Sequence, residues 1–427
     1  MKRLLVAVLL ASGCGSGLLD HSGIQFPGEG TGQCQIHDSP SSCGPTCAVC
    51  QATARGTAVC VDQQCGVRCD PGTVRCDDGC CTSSALAAGG STTCVVAEGS
   101  VAGGSVHCWG ANDSGQLGAD APLQSAAPAA IAGTQGASTV AVGVSHVCAI
   151  VGTAVKCWGA NDAGQLGSAA PGSRSSTPVT VPGVTGAQSL AAGARHTCAR
   201  TAAGIVCWGA NDSGQLGDGS TVHGPGAPIP SSATANSLSA GSAHTCAAWG
   251  GMAYCWGAGA LGQLGDGPAP ASSTPVEVNS ASNVQAVGAG ANHACAVGSN
   301  SMWCWGQDDS GQAGDGKQQP VAKAGGVSLS GPVAVAGGRA HTCAVTGAGV
   351  LWCWGANDFR QLGTGSALTV QLRPEAAAIT GVQGLAVGGD HGCVLLADHT
   401  VACWGKDDRG QAGNGIGGPV VQPALIR

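Results

Sequence analysis

Beyond residue 84 the chain alternates short β-compatible apolar runs with small-residue turns. SHVCAIVGTAVKCWG, residues 145–159, is typical: two runs flank Gly152 and Thr153, which predicts a hairpin with a two-residue turn. That register sets Val151 against Ala154, Ile150 against Val155, Ala149 against Lys156 and Cys148 against Cys157. The pattern recurs as RHTCARTAAGIVCWG at 195–209, AHTCAAWGGMAYCWG at 243–257 and NHACAVGSNSMWCWG at 292–306. AHTCAVTGAGVLWCWG and DHGCVLLADHTVACWG follow further down the chain, and a first copy ends at Gly110.

The WG pair dates the repeat. It stands at Trp109, Trp158, Trp208, Trp256, Trp305, Trp354 and Trp404, at spacings of 49, 50, 48, 49, 49 and 50 residues. A period near 50 suits the blade of a propeller, a four-stranded sheet that buries its faces only by stacking on its neighbours. The expected fold is therefore all-β: a seven-bladed β-propeller over residues 84–427. The last strand-like segment, GPVVQPALI, is expected to complete the sheet begun by the first hairpin and so close the ring.

Cysteine supports the hairpins. Opposed positions on paired strands bring Cα atoms to about 4.5 Å, near the lower end of the disulfide range. The expected bonds are Cys94 to Cys108, Cys148 to Cys157, Cys198 to Cys207, Cys246 to Cys255, Cys295 to Cys304, Cys343 to Cys353, and Cys393 to Cys403. Ten more Cys lie between Cys34 and Cys81, a segment with little to bury, so a small disulfide-rich domain is expected over 34–81. Its pairing is open. Cys47 and Cys50 form a CxxC, but the spacings make a poor zinc match and oxidation is the expected state. Hairpins, head and Cys14 account for all 25 Cys.

Residues 1–14, MKRLLVAVLLASGC, have a basic start, an apolar run too short to span a bilayer and small residues before Cys14. This is the form of an export signal over 1–13. Its ASGC end resembles a bacterial lipobox, which implies Cys14 as a lipid anchor and 14–33 as a tether. The expected location is a bacterial outer membrane or cell surface, otherwise secretion. A net charge of −7 with 17 Lys and Arg in 427 residues offers few phosphate contacts, so no nucleic-acid partner is expected.

Gly193, His196 and WGANDSGQLG at 208–217, repeated in phase seven times with variations, resemble the regulator of chromosome condensation repeat family. The resemblance implies a seven-bladed propeller of four-stranded sheets. The eponymous member exchanges guanine nucleotide on a small nuclear GTPase and binds chromatin, using features outside the repeat signature; with an export signal here, no nucleotide exchange is expected.

Within the repeat, Gly214 and Gly217 read as turn residues, Leu216 as a core plug, Asn211 as a backbone binder and Trp208 as packing whose N–H needs a partner. The aspartates Asp113, Asp162, Asp212, Asp309, Asp358 and Asp408 suggest a calcium ring, which Ala260 and Leu261 interrupt. His146, His196, His244, His293, His341 and His391 read as structural residues on separate blades. No metal, cofactor or catalytic residue is expected. Trp249, Trp303 and Trp352 are extra aromatics and candidate binding anchors. The expected function is a membrane-anchored, monomeric scaffold for a protein or surface glycan; an enzyme at the propeller mouth and a passive envelope protein are the alternatives.

Overall fold

In the computed structural model, residues 64–427 are described except 77–78, 99–103, 120, 168–171, 416–417 and 427. Before residue 64 only Leu9–Leu10, Gln33–Cys34 and Gly56–Val61 are described. The chain divides into two units, Met1–Cys81 and Thr82–Arg427. Cys14, Cys43, Cys47 and Cys50 lie outside the described residues.

In the first unit Gly56–Val61 pairs antiparallel with Gln64–Cys69, which places Cys60 opposite Cys65. Val74–Cys76 pairs with the first residues of the strand Gly79–Gly89, and Cys69 is bonded to Cys80. Leu9–Leu10 pairs with Gln33–Cys34.

The second unit is a seven-bladed propeller of antiparallel sheets. Blade 2 shows the plan: Ala137–Val142, His146–Val151, Ala154–Gly159 and Ser175–Thr185 follow one another in sequence and in the sheet. Its central register is the hairpin expected from the sequence, with Cys148 opposite Cys157 and Val151 opposite Ala154. The hairpin disulfides join Cys94 to Cys108, Cys148 to Cys157, Cys198 to Cys207, Cys246 to Cys255, Cys295 to Cys304, Cys343 to Cys353, and Cys393 to Cys403. Cα separations run from 4.0 Å to 4.1 Å, the close approach of opposed residues on neighbouring strands. Each closes a small loop and stabilises its blade by about 2–3 kcal/mol on the chain-entropy account.

Each blade buries its faces on its neighbours. Val96, Val106, Leu117 and Ile131 of blade 1 share one cluster with Val140, Val147, Ala149 and Trp158 of blade 2. Leu166, Val181 and Val184 of blade 2 likewise meet Ala199 and Trp208 of blade 3. All seven WG tryptophans are fully buried in this way, and losing one such ring from a core typically costs about 3–5 kcal/mol.

Ring closure differs from the expectation. The last strand, Val420–Leu425, pairs with Val401–Gly405 of its own blade, and blade 1 takes its outer strand, Gln124–Ala130, from the residues that follow its hairpin. No strand is exchanged between the ends. Blade 7 meets blade 1 through the same side-chain contacts that join every other pair: Trp109 Nε1 donates to Gln411 O at 3.0 Å. Seven complete blades bury their faces by stacking alone, so closure needs no borrowed strand.

Candidate interaction face

The antiparallel order fixes two faces. Turns between first and second strands, together with the long loops that follow each WG pair, open on one face; the hairpin turns open on the other. The repeated polar residues all serve the loop face or the joints beneath it.

The joint is a relay. In the WG motif of blade 3, Trp208 Nε1 donates to Gln165 O of blade 2 at 2.9 Å, and the corresponding bonds reach Gln116, Gln215, Gln263, Gln312, Gln361 and Gln411. In four joints the same carbonyl takes a second donor, a threonine hydroxyl from the next blade: Thr197 to Gln165 O, Thr245 to Gln215 O, Thr342 to Gln312 O and Thr93 to Gln411 O. Each hydroxyl, having given its proton, accepts from histidine Nε2 of the preceding blade: His146, His196, His293 and His391, at 2.8–3.0 Å. The Nε2–H tautomer follows, leaving Nδ1 bare.

Burial holds all six imidazoles neutral. Loss of hydration lowers His146, His244 and His391 to about 4 and His196, His293 and His341 to about 3. Glycine before each histidine is a packing requirement: a Cβ on Gly193 would collide with the His196 ring and stand 2.5 Å from Gly241 O. The histidines are structural in this arrangement. Among the described residues no three His, Cys, Asp or Glu side chains group as a metal site.

Asparagine clamps the loop. Asn211 Oδ1 accepts from Leu216 N at 2.9 Å, while Nδ2 donates to Ser220 O and Val222 O, each at 3.1 Å. Asn357 holds Leu362 N, Ser366 O and Leu368 O in the same way, and Asn112 holds Leu117 N, Ala121 O and Pro122 O. Each clamp fixes a loop whose aliphatic residue projects into solvent: Leu123 is 73 % exposed, Val222 71 % and Leu368 58 %. Val144 and Leu261 are also exposed on this face. Sequence reasoning missed these residues, because one apolar residue in a polar loop has no periodicity; the signal available for Leu123, Val222 and Leu368 was recurrence eleven positions after the asparagine.

The aspartates of the suggested calcium ring are exposed, and three of them pair with cations. Asp162 meets Arg195 at 2.6 Å and Asp113 meets Arg409 at 2.6 Å, both across a joint, and Asp408 meets Lys406 at 3.2 Å within its loop. At the centre, a channel of ≈ 570 Å³ is walled by Ala, Gly and Val of the inner strands. Its charged lining residues are Arg339 and Asp390, which bind each other at 2.7 Å.

The three extra tryptophans are not brought to the clamped loops. Trp249 stacks on Tyr254 with centroids 3.9 Å apart and is only 9 % exposed, leaving little face for a ligand. Trp303 and Trp352 lie near the start of the third strands of adjacent blades, Met302–Gly306 and Leu351–Ala356, toward the hairpin-turn face. Both are half-buried against the core between blades.

Two models of the regulator of chromosome condensation repeat match the chain, one at residues 103–150, 155–200 and 250–297, the other at 187–215, 333–361 and 382–411. Among solved structures, human WBSCR16 is similar over 75 % of this chain and 94 % of its own, with 22 % identity and a TM-score of 0.67. Prp20p from Saccharomyces cerevisiae, described with its binding properties to Gsp1p and histones, is similar over 77 % and 87 %, with 21 % identity and a TM-score of 0.67. Yeast RCC1 (Prp20) bound to Kap60 is similar over 76 % and 83 %, with 20 % identity and a TM-score of 0.66. At these identities the likeness is one of fold. Among curated protein sequences, none matches this chain. Seven four-stranded blades, one Trp–Gln joint used seven times and repeat matches along the ring make this chain a seven-bladed propeller of the regulator of chromosome condensation repeat.

Proposed function

We propose that the protein is an exported, non-enzymatic scaffold that binds another protein through its loop face. The observation that carries this reading is the set Leu123, Val222 and Leu368, held out at equivalent places of blades 1, 3 and 6 by the same asparagine clamp. Exposed aliphatics on rigidly fixed loops suit a protein partner, since little ordering entropy is lost when they are covered. Structural relatives described with Kap60, or with Gsp1p and histones, support the fold as a protein platform. The channel offers a single internally paired ion pair rather than converging acid, base and nucleophile, which favours binding over chemistry. A disulfide in every blade suits an oxidising compartment, and lipidation at Cys14 would fix the scaffold to a membrane.

A glycan is the second reading. It rests on Trp303 and Trp352, which occupy the same position in neighbouring blades and keep part of each ring accessible. Proximity labelling on intact producing cells separates the two. Under the protein reading Leu123→Ser, Val222→Ser and Leu368→Ser together abolish a specific labelled partner, and Trp303→Ala with Trp352→Ala does not. The reverse result supports the glycan, and indifference to both sets sinks both readings.

A further inference from the structure

The connectors after blades 1 and 2 each turn twice through left-handed backbone, and glycine makes every turn: Gly133 and Gly136, with φ +80° and +84°, and Gly183 and Gly186, with φ +75° and +64°. After blade 4 the same two turns are made by Ser280, φ 76°, and Asn283, φ 53°. A side chain is costly in that conformation, for serine more than for asparagine. Both residues are exposed, and neither side chain makes a hydrogen bond within the described residues, so the fold itself gives no return for them.

They stand beside Trp303. A Cβ built on Gly298 of the blade 5 hairpin would lie 3.0 Å from Trp303 Cζ3, 3.1 Å from Asn283 O and 3.2 Å from Ser282 O, so the edge of the indole and the connector meet at one point. Just past the connector, Gln285 Nε2 donates to Ser299 Oγ of the hairpin turn at 3.4 Å. The segments that meet here, 278–285, 298–303 and 324–326, carry hydroxyls and amides and no charge; Glu277 and Lys323 flank them in sequence.

The strand opposite leaves the ring uncovered. Gly326 is the cross-strand partner of Trp303, where Ala130, Thr180, Glu277, Ala376 and Leu425 stand in blades 1, 2, 4, 6 and 7. Its backbone is not left-handed, and a Cβ there would meet nothing within 4 Å. Neither conformation nor crowding calls for glycine, which weakens a strand and marks places where a ligand comes close.

We propose that Trp303, Ser280 and Asn283, left open by Gly326, form a binding site for one unit of a neutral saccharide. The C–H face of a pyranose lies on the indole, and its hydroxyls bond the serine hydroxyl and the asparagine amide, which both donate and accept. This site rests on the glycan reading and narrows it to the joint between blades 4 and 5. Trp352 lies outside it: its cross-strand partner Ala376 carries a methyl group, and the connector before its blade keeps glycine at Gly331, φ +62°.

Calorimetric titration of the full chain with chitohexaose and cellohexaose, both neutral and β-linked, tests the site. At least one should bind at millimolar concentrations. Trp303→Ala should weaken that binding about tenfold, the worth of one stacking contact, and Trp352→Ala should leave it unchanged. Gly326→Val should weaken it as much as Trp303→Ala does while the thermal midpoint holds or rises, because valine suits a strand. Ser280→Gly with Asn283→Gly should also weaken it, again with a midpoint that holds or rises as the backbone is relieved. If neither oligomer binds, this site and the glycan reading both fall. Binding that survives Gly326→Val, or that Trp352→Ala weakens as much as Trp303→Ala, would overturn the single site and leave the paired rings as the glycan reading.

Discussion

The joint between blades 3 and 4 and the joint between blades 4 and 5 differ by one hydroxyl. In the first, His196 Nε2 gives to Thr245 Oγ1 at 3.0 Å, and Thr245 Oγ1 and Trp256 Nε1 both give to Gln215 O, at 2.9 Å and 3.0 Å. In the second, Ala294 stands in place of the threonine; Trp305 Nε1 still gives to Gln263 O at 2.9 Å, but neither nitrogen of the buried His244 has a partner. The joint between blades 6 and 7 repeats this with Gly392 and His341. Between blades 1 and 2 both members change, Thr92 for the histidine and Val147 for the threonine, and the joint stays packed around Trp158. The tryptophan–carbonyl contact is common to every joint, while the histidine relay is an addition that three joints do without.

The charge state of the imidazoles is shared by complete and incomplete joints, and it carries the largest expected effect. A histidine that stays neutral in the fold but titrates near 6.5 when unfolded favours unfolding as protons become available. Its contribution is therefore complete above pH 6.5 and lost as pH falls toward 4. Each group contributes a slope of about 1.4 kcal/mol per pH unit. Asp308 and Asp407, raised to about 6, act in the opposite sense, but six groups outweigh two. Urea midpoints under non-reducing conditions should fall steeply from pH 6.5 to pH 5; a flat profile would mean that the imidazoles take up protons within the fold.

Next in size is the tryptophan itself. Trp256→Ala and Trp305→Ala should each cost about 3–5 kcal/mol in chemical denaturation. Similar losses at both joints would keep the ring contact as their common element; a much smaller loss at Trp305 would show that the incomplete joint relies on something else.

The ring count, the hairpin register and the Cys148–Cys157 opposition were legible in the sequence because they depend on local spacing: a two-residue turn fixes which residues face each other. The joint was legible only in part. Trp208 was recognisable as needing a hydrogen-bond partner, but that partner is a backbone carbonyl about one repeat away, and no side chain advertises it. The clue lay in paired exceptions, Thr92 with Val147, which make sense only when neighbouring blades are compared. Strand exchange at closure was expected from two incomplete chain ends, yet residues 82–89 already supply the inner strand that blade 1 needs. Of the candidate binding residues, Trp303 and Trp352 stood out by composition, whereas Leu123, Val222 and Leu368 depend on a clamp that only loop geometry reveals.

Restoring the hydroxyl tests the same comparison at smaller scale. Ala294→Thr supplies an acceptor for His244 and a second donor for Gln263 O, and should stabilise by about 1 kcal/mol. Gly392→Thr should do the reverse, by about 1–3 kcal/mol, because a Cβ there collides with the Trp404 ring. Opposite signs for one substitution at two equivalent positions would show that the joints have adapted separately; stabilisation at both would mean that Trp404 moves aside easily.

The smallest effect is expected at Arg360, which breaks the rule of the loops. Its counterpart in blade 3, Gly214, has φ +81° and lies so close to blade 4 that a Cβ would stand 2.5 Å from Ser273 Cα. Arg360 adopts the same left-handed backbone, with φ 63°, while carrying a side chain whose Nη1 donates to Ser366 O at 2.8 Å. Left-handed backbone costs a non-glycine residue about 1–2 kcal/mol. The bond to Ser366 O and the greater freedom of an unfolded glycine offset part of that in the substitution. Arg360→Gly should accordingly stabilise by about 0.5 kcal/mol, and Arg360→Ala, which keeps the backbone cost and drops the guanidinium bond, should destabilise. If glycine also destabilises, the guanidinium bond outweighs the backbone relief, and the blade 6 loop is braced internally by a contact that glycine elsewhere makes unnecessary.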